Sequence, residues 1–246
     1  MRIVILSYGR ADNVITGKWL KGVEILVPES QKADYIKHNP KLKVVSIPDE
    51  LDGNVAKKRN ACLNLYKGEN IVTLDDDIRK IGYYDDGEMI EATGDEFKSF
   101  CENMFVMAEE LGTVLWGLNL QADKKFYREY SPFSFSSVVL GPVQGIRNID
   151  EDRRYSEKMF LKEDYDFSLE VLNKYRKILR NNKWHYVSAH IDNKGGVVSQ
   201  RNVKLESEHL DMFQKKWGSR IVQKRTETQY GNITINPIVR IPIKGI

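Results

Sequence analysis

Apolar and polar positions along the chain follow two periods. Short runs of Ile, Val and Leu occupy residues 2–7, 23–27, 42–47 and 71–74. The first closes on Tyr8-Gly9-Arg10, the next two on Pro28 and Pro48, and the fourth on three aspartates. Short, wholly apolar strands spaced by helical stretches predict a buried parallel sheet built from βαβ units. Residues 54–66 predict a helix, with Asn54 as N-cap, Val55, Cys62, Leu63 and Tyr66 on one face, and Gly68 past its end. A second helix is predicted over 95–111, where Phe97, Phe100, Cys101, Met104, Ala108 and Leu111 recur at three- and four-residue spacing before Gly112. A strand follows at 113–118, and residues 131–147 alternate up to Gly145-Ile146-Arg147. The charged stretch 150–158 predicts a mobile surface loop, and Phe167, Val171 and Leu172 predict a helix over 163–174. Two short strands at 177–179 and 184–189, a helix at 206–217 and extended segments at 233–243 complete the pattern. No repeat or Pro-, Gly- or Ser-rich linker interrupts it. The expected fold is α/β, a mostly parallel central sheet flanked by helices, with a core over 1–200 and a C-terminal helix and extended segment, 201–246, packed on it.

Composition narrows the class. Over 246 residues, 41% hydrophobic and 30% charged content is enough for a sizeable core and excludes a disordered tail. No apolar run approaches the roughly 18 residues that cross a bilayer, and the first residues lack a signal-peptide layout. A soluble, cytoplasmic protein with no membrane partner is expected. Cys62 and Cys101 are too few for a disulfide framework or a Cys-rich zinc site. The net charge of +3 is too mild to announce a nucleic-acid binder. Its distribution is uneven: residues 69–96 are strongly acidic, whereas 174–183 and 215–225 are basic. A solvated face is the alternative reading of each such run.

Chemistry concentrates in the carboxylates. Asp75-Asp76-Asp77 follows directly on an apolar strand, at the edge where open α/β sheets bind ligands. Crowded hard oxygens there suit Mg2+ or Mn2+, which would also hold a diphosphate; a turn or helix cap is the other reading. The string Gly53, Arg59-Asn60, Lys67-Gly68 and Leu74-Asp75-Asp76-Asp77 resembles the signature of nucleotide-sugar-dependent glycosyltransferases of the GT-A fold, family 2 in particular. The resemblance implies that the Arg59-Asn60 helix packs beneath a nucleotide and that the Asp-X-Asp motif holds metal and diphosphate. Glu163-Asp164-Tyr165-Asp166, opening a helix, resembles the family's Glu-Asp motif facing the acceptor. Carboxylates in a first helical turn are favoured by the macrodipole, and an ionised carboxylate is what a general base requires. His190, after the strand-like 184–189, stands where the family places a metal-binding histidine. Ser7, Tyr8 and Arg10 occupy the turn that lines the base and ribose pocket, and Glu29 and Asp49 cap two further strands.

The expected roles follow from that resemblance. Asp164 is the candidate base in an inverting reaction, with Glu163 or Asp166 orienting it, and would flank the anomeric carbon in a retaining one. Asp77 and His190 are the expected ligands of Mn2+ or Mg2+. Ser7, Tyr8, Arg10, Arg59, Asn60, Asp75 and Asp76 are the expected contacts of a UDP-sugar donor. Leu-Asp-Asp-Asp-Ile at 74–78, Glu-Asp-Tyr-Asp-Phe at 163–167 and Asn193-Lys194-Gly195-Gly196 resemble the phage-encoded TET-associated glycosyltransferases. That group implies transfer to the hydroxymethyl group of a modified pyrimidine, 5-hydroxymethylcytosine above all, in double-stranded DNA. Arg176, Lys177, Arg180, Lys215, Lys216 and Trp217, with Tyr230, are then the expected DNA contacts. Phe126-Tyr127, Tyr130, Phe133 and Phe135 either line an acceptor cleft or pack a β-region. Two alternatives stay open: a glycosyltransferase acting on a glycan, lipid carrier or protein, and a non-catalytic binding module on the same fold.

Overall fold

The computed structural model describes residues 1–149, 153–189, 202–229 and 232–243. Four parallel strands build the first half: β1 (Arg2–Leu6), β2 (Glu24–Pro28), β3 (Lys43–Ile47) and β4 (Asn70–Asp75). A single helical turn, α1 (Thr16–Trp19), with α2 (Lys32–His38) and α3 (Val55–Leu65), connects them. The hairpin β5 (Ile78–Asp85) and β6 (Glu88–Glu91) leads into α4 (Gly94–Glu110). Then come β7 (Leu115–Asn119), the short β8 (Phe133–Ser134), β9 (Val143–Arg147), α5 (Glu163–Tyr175) and β10 (Leu179–Ser188). The chain ends in α6 (Val203–Trp217) and a separate hairpin, β11 (Val222–Gln229) and β12 (Asn232–Val239).

The large sheet runs β3-β2-β1-β4-β9-β7-β10-β5-β6, with β8 beside β10. The strands from β3 to β4 are mutually parallel. β9 lies antiparallel between β4 and β7, and β7 is parallel to β10. β1, β4, β7 and β10 therefore all end on one edge. Alternate residues of each strand serve opposite faces. Ile3 and Ile5 join Tyr35 of α2 and Phe97 and Met104 of α4 in one core cluster. Val4 and Leu6 join Cys62 of α3, Phe167 of α5 and Phe213 of α6 in the other. Segment 202–243 shares that second core through Leu210, Phe213 and Val222.

Antiparallel insertion of β9 depends on a missing side chain. A Cβ on Gly145 would lie 1.8 Å from Cε2 of Trp116, which is fully buried on the adjoining strand.

The structure departs from the sequence reading in four places. The two short strands expected at 177–179 and 184–189 are one strand, β10. Its polar middle is a bulge in which the Asn181 side chain accepts from the backbone N–H of Lys183 and Trp184, both at 3.0 Å. Within the acidic run at 69–96, where no strand was expected between 75 and 95, residues 78–91 form the β5–β6 hairpin, and β6 is exposed along its length. Asp86 (φ 48°) and Gly87 (φ 80°) make its left-handed turn, the Asp-Gly pair that such hairpins favour. Of the expected surface loop at 150–158, Asp150, Glu151 and Asp152 lie outside the described residues. Within the remainder Tyr155 is buried and stacks on Phe167 at 4.1 Å. Finally, alternation over 131–147 yields strands only at β8 and β9.

Gly145→Ala is expected to cost more than about 3 kcal/mol, beyond the usual cost of overpacking, because the obstacle is a rigid buried indole. Urea unfolding monitored by circular dichroism measures it; an unchanged midpoint would overturn the packing argument.

Candidate active site

Three turns meet at the edge where β1 and β4 end. Asp76 is only 3% exposed. One of its oxygens accepts from Ser7 Oγ, and the other lies 2.6 Å from the Arg10 guanidinium. Tyr35 OH donates to Ser7 Oγ at 2.7 Å and accepts from Arg10 N at 3.1 Å. Ser7, Arg10 and Asp76, expected to touch a nucleotide, thus lock the β1 turn to the β4 turn. Thr16, which the sequence pattern did not single out, pins the same turn from α1. It donates from Oγ1 to the Asp75 carbonyl at 2.6 Å, accepts there from Ile78 N at 3.0 Å, and donates from N to the Asp76 carbonyl at 3.0 Å.

Asp77 is buried one step further along. Burial, followed by the charges of Asp75 and Asp76, pushes its carboxyl up to about 7, against the pull of Arg10 3.9 Å away. Ala189 N donates to the Asp77 carbonyl at 2.9 Å, so the end of β10 abuts this residue. His190, the next residue, lies outside the described residues, as do Asn193-Lys194-Gly195-Gly196 and Tyr230. Among the described residues no three His, Cys, Asp or Glu side chains gather into a metal-binding group. The concentrated charge and hard oxygens of Asp75 and Asp77 fit a divalent cation that takes its other ligands from phosphate and water, the usual manner of Mg2+.

Beside these carboxylates, Tyr8 presents a half-exposed ring whose centroid is 5.5 Å from Lys58 Nζ. Lys58, also missed in the sequence, is buried on α3; its ammonium donates to the Ser7 carbonyl and lies 2.8 Å from Asp52 Oδ2. Burial pushes the lysine down and Asp52 up.

Arg59 occupies the centre. Its guanidinium, 2% exposed, donates to Gln144 Oε1 (2.7 Å), the Gly141 carbonyl (3.0 Å) and Asp75 Oδ1 (3.4 Å). Its Nε lies 3.6 Å from Glu163 Oε1. Gly141 passes the link on: its N–H donates to Asp164 Oδ2 at 2.9 Å, while Asp164 Oδ1 accepts from Tyr165 N at 2.8 Å. A Cβ on Gly141 would meet Arg59 Nη2 at 2.7 Å and Asp164 Oδ2 at 3.4 Å. One guanidinium and the two backbone polar groups of one glycine therefore join the end of β4 to the start of α5. Asn60 has a different task. It donates to the Tyr155 carbonyl (3.0 Å) and Glu157 Oε1 (3.0 Å) and accepts from Tyr155 N (2.8 Å), stapling segment 153–159 onto α3. Tyr155 OH in turn donates to Gln144 Oε1 at 2.7 Å. Gly141, Gln144 and Tyr155 carried no motif, and nothing in the local sequence sets them apart.

Glu163 and Asp164 differ sharply in setting. Glu163 is buried, and burial, then the Asp164 charge, pushes its carboxyl up to about 8 despite Arg59. Asp164 is partly exposed, with both oxygens held by backbone N–H groups.

The basic residues scatter. Arg176, in the left-handed conformation that caps α5, and Lys177 precede β10 and so lie at the opposite edge of the sheet from Asp75. Arg180 sits within β10, its Nε donating to Asn182 Oδ1 at 3.0 Å. Lys216 Nζ lies 2.9 Å from Asp166 and 2.6 Å from Glu170 Oε1, and Trp217 Nε1 donates to Asp166 Oδ1 at 2.7 Å. Lys215 remains exposed. As expected DNA contacts, Arg176 and Lys177 face away from the carboxylates, and Lys216 and Trp217 are engaged within the protein.

Residues 1–196 match a family described as TET-associated glycosyltransferase. No curated protein sequence matches the chain. Among solved structures, glucosyl-3-phosphoglycerate synthase from Mycobacterium tuberculosis, in complex with Mn2+, uridine diphosphate and glucosyl-3-phosphoglycerate, superposes with a TM-score of 0.53 at 8% identity. That match covers 97% of this chain and 86% of the synthase. The mannosyltransferase PcManGT from Pyrobaculum calidifontis, in complex with GDP-Man and Mn2+, gives 0.56 at 11% identity, covering 87% of this chain and 64% of that one. S. aureus TarS 1-349 shares 13% identity over 75% of this chain, which spans 60% of its length, with a TM-score of 0.45. The fold is the GT-A glycosyltransferase fold.

The Glu163 carboxyl titrates near 8 in the folded chain against 4.5 ordinarily. Between these values the folded protein holds more protons than the unfolded one, so this group's contribution to stability falls as pH rises through that window. Glu163→Gln is expected to gain melting temperature relative to the parent by a few degrees at pH 8.5 but not at pH 4.5. Differential scanning calorimetry across that range decides it, a pH-independent difference being the contrary result.

Proposed function

Because the chain belongs to the TET-associated glycosyltransferase family, we propose that it moves a sugar from a uridine diphosphate sugar onto the hydroxymethyl group of 5-hydroxymethylcytosine in double-stranded DNA. The observation that carries the reading is the Arg59–Gly141 bridge, which gathers the β4 aspartates and the α5 carboxylates into one constellation on the ligand-binding edge of the sheet. Neither a structural turn nor a binding module accounts for so much negative charge held together at one place.

In this reading Tyr8 offers a stacking face for the base, and Asp75, fixed by Arg59, meets the ribose or diphosphate. Asp77, with His190, would hold Mn2+ or Mg2+, as the Mn2+ complexes of the fold's relatives suggest. When bound, such an ion would supply positive charge to the leaving diphosphate. Asp164, oriented by the N–H groups of Gly141 and Tyr165, takes the proton from the acceptor hydroxyl at a free lone pair of its carboxylate. Glu163, protonated around neutral pH, spares Asp164 a second adjacent negative charge.

A DNA acceptor draws support from the description of the family. A hydroxymethyl group inside a duplex has to swing out to reach Asp164. The loop after β7, where Phe126 and Tyr130 are exposed, packs on the end of β5 remote from Asp77, with Tyr127 stacked on Tyr84 at 5.3 Å.

Incubation with Mn2+, a panel of nucleotide sugars and DNA with or without 5-hydroxymethylcytosine, followed by digestion to nucleosides and mass spectrometry, tests the proposal. A hexose or pentose mass gain is expected on the modified nucleoside alone. Asp77→Ala and Asp164→Asn are each expected to lower the rate by about 10^2- to 10^4-fold with the protein still folded by circular dichroism. Transfer to a glycan and none to modified DNA would move the acceptor elsewhere. Full activity in either variant would overturn the site.

A further inference from the structure

The family match ends at residue 196, yet the helix beyond it grips the turn that carries the candidate base. The contacts run in register along two helices. Glu206, in the first turn of α6, lies 2.5 Å from Lys162 Nζ, which also donates to the Ile235 carbonyl at 3.1 Å. One turn on, the buried His209 accepts at Nδ1 from Leu161 N at 3.2 Å; burial pushes this imidazole down, in keeping with an unprotonated acceptor nitrogen. Next, the Phe213 ring lies 6.1 Å from that of Tyr165. At the C-terminal end Trp217 Nε1 and Lys216 Nζ both bind Asp166, whose side chain is 2% exposed, and Lys216 adds Glu170. Residues 161, 162, 165 and 166 thus have partners on α6, and Asp164 sits in their midst.

We propose that α6 is a positioning clamp: through Trp217 and Lys216 on Asp166, and Glu206 on Lys162, it fixes the first turn of α5 so that Asp164 faces the acceptor hydroxyl. The proposal rests on the assignment of Asp164 as base. Such a clamp has a physical rationale, because α5 begins without a side-chain cap from Lys162 and crowds Glu163, Asp164 and Asp166 into one turn. Asp166 is almost without solvent, so without Lys216 and Trp217 its charge would be drawn outward and the turn with it. A base displaced by about 1 Å loses on the order of 10^2 in rate. Asp166 and Lys216 are positioning residues here, since neither touches substrate.

Trp217→Phe keeps the ring and deletes the N–H, while Lys216→Met keeps the stem and deletes the charge. Steady-state kinetics with a UDP-sugar and hydroxymethylated DNA are expected to show kcat down about 10-fold or more in each, with the KM for donor and for DNA unchanged. Lys216→Arg should restore kcat, and Lys204→Met, at the other end of α6, serves as a control with parental kinetics. Hydrogen exchange on the unliganded protein should show faster exchange at residues 163–166 in both variants and parental protection in β4. A raised KM for DNA with a shallower salt dependence and an unchanged kcat would instead make these two residues DNA contacts and overturn the clamp. Unaltered exchange at 163–166 overturns it too. If the parent protein transfers no sugar, the glycosyltransferase assignment fails, and the exchange measurement alone upholds or rejects the clamp.

Discussion

A cation buried among carboxylates is the constraint around which this site is arranged. Arg59 is almost without solvent, yet Asp75, Glu163 and Asp164 all raise its affinity for its proton, burial opposing them. A lone guanidinium in such a place would cost several kcal/mol, and so would the acids without it. Together they are stable only in one geometry, because the planar fork spends its donors on Gln144, the Gly141 carbonyl and Asp75 at fixed angles. That rigidity reaches Asp164 through a single glycine, and it explains why residue 141 lacks a side chain. The acids at the end of β4 and at the start of α5, remote in sequence, are held as one object.

The aspartate triplet shows how identical residues diverge under that constraint. Asp75 is the most open of the three and shares Arg59. Asp76 turns inward to Ser7 and Arg10 and is consumed in fastening two strand ends. Asp77 inherits the repulsion: burial and two neighbouring charges make its ionisation costly. A site of this kind is destabilising on its own terms and would be relieved by a divalent ion, the pattern expected where function is maintained against stability.

Much of this was legible in the chain. The four apolar strands, the Asn54 cap, whose side chain accepts from Lys57 N at 2.9 Å, and the helices at α3, α4 and α5 follow from local pattern, because each buries one periodic face. The β5–β6 hairpin escaped notice because four acids around Asp-Gly look solvated, although that dipeptide is itself a hairpin turn. β10 looked like two strands because Asn181 mends its bulge with side-chain hydrogen bonds, a device that pattern alone does not reveal. Within the site, charged residues announced themselves, whereas Thr16, Gly141, Gln144 and Tyr155 act through backbone and amide groups whose partners are distant in sequence. Lys58 was hidden by its neighbour Arg59.

Where the fold places the charge clusters bears on the acceptor. A run of lysine and arginine predicts a phosphate-binding face only if its side chains are unoccupied and point toward the chemistry. Here helix α5 carries its acidic start to the ligand edge and its basic end, Arg176, to the other. Lys216 and Trp217, near the ligand edge, are drawn to Asp166 because a buried carboxylate binds a cation more strongly than solvent does. The loop after β7 repeats the lesson: Lys125 is paired with Asp123 at 2.8 Å, and Lys124 lies beside the Gly87 turn at the end of β5 remote from Asp77, so a lysine pair that reads as a phosphate-binding patch is placed by the fold away from the chemistry.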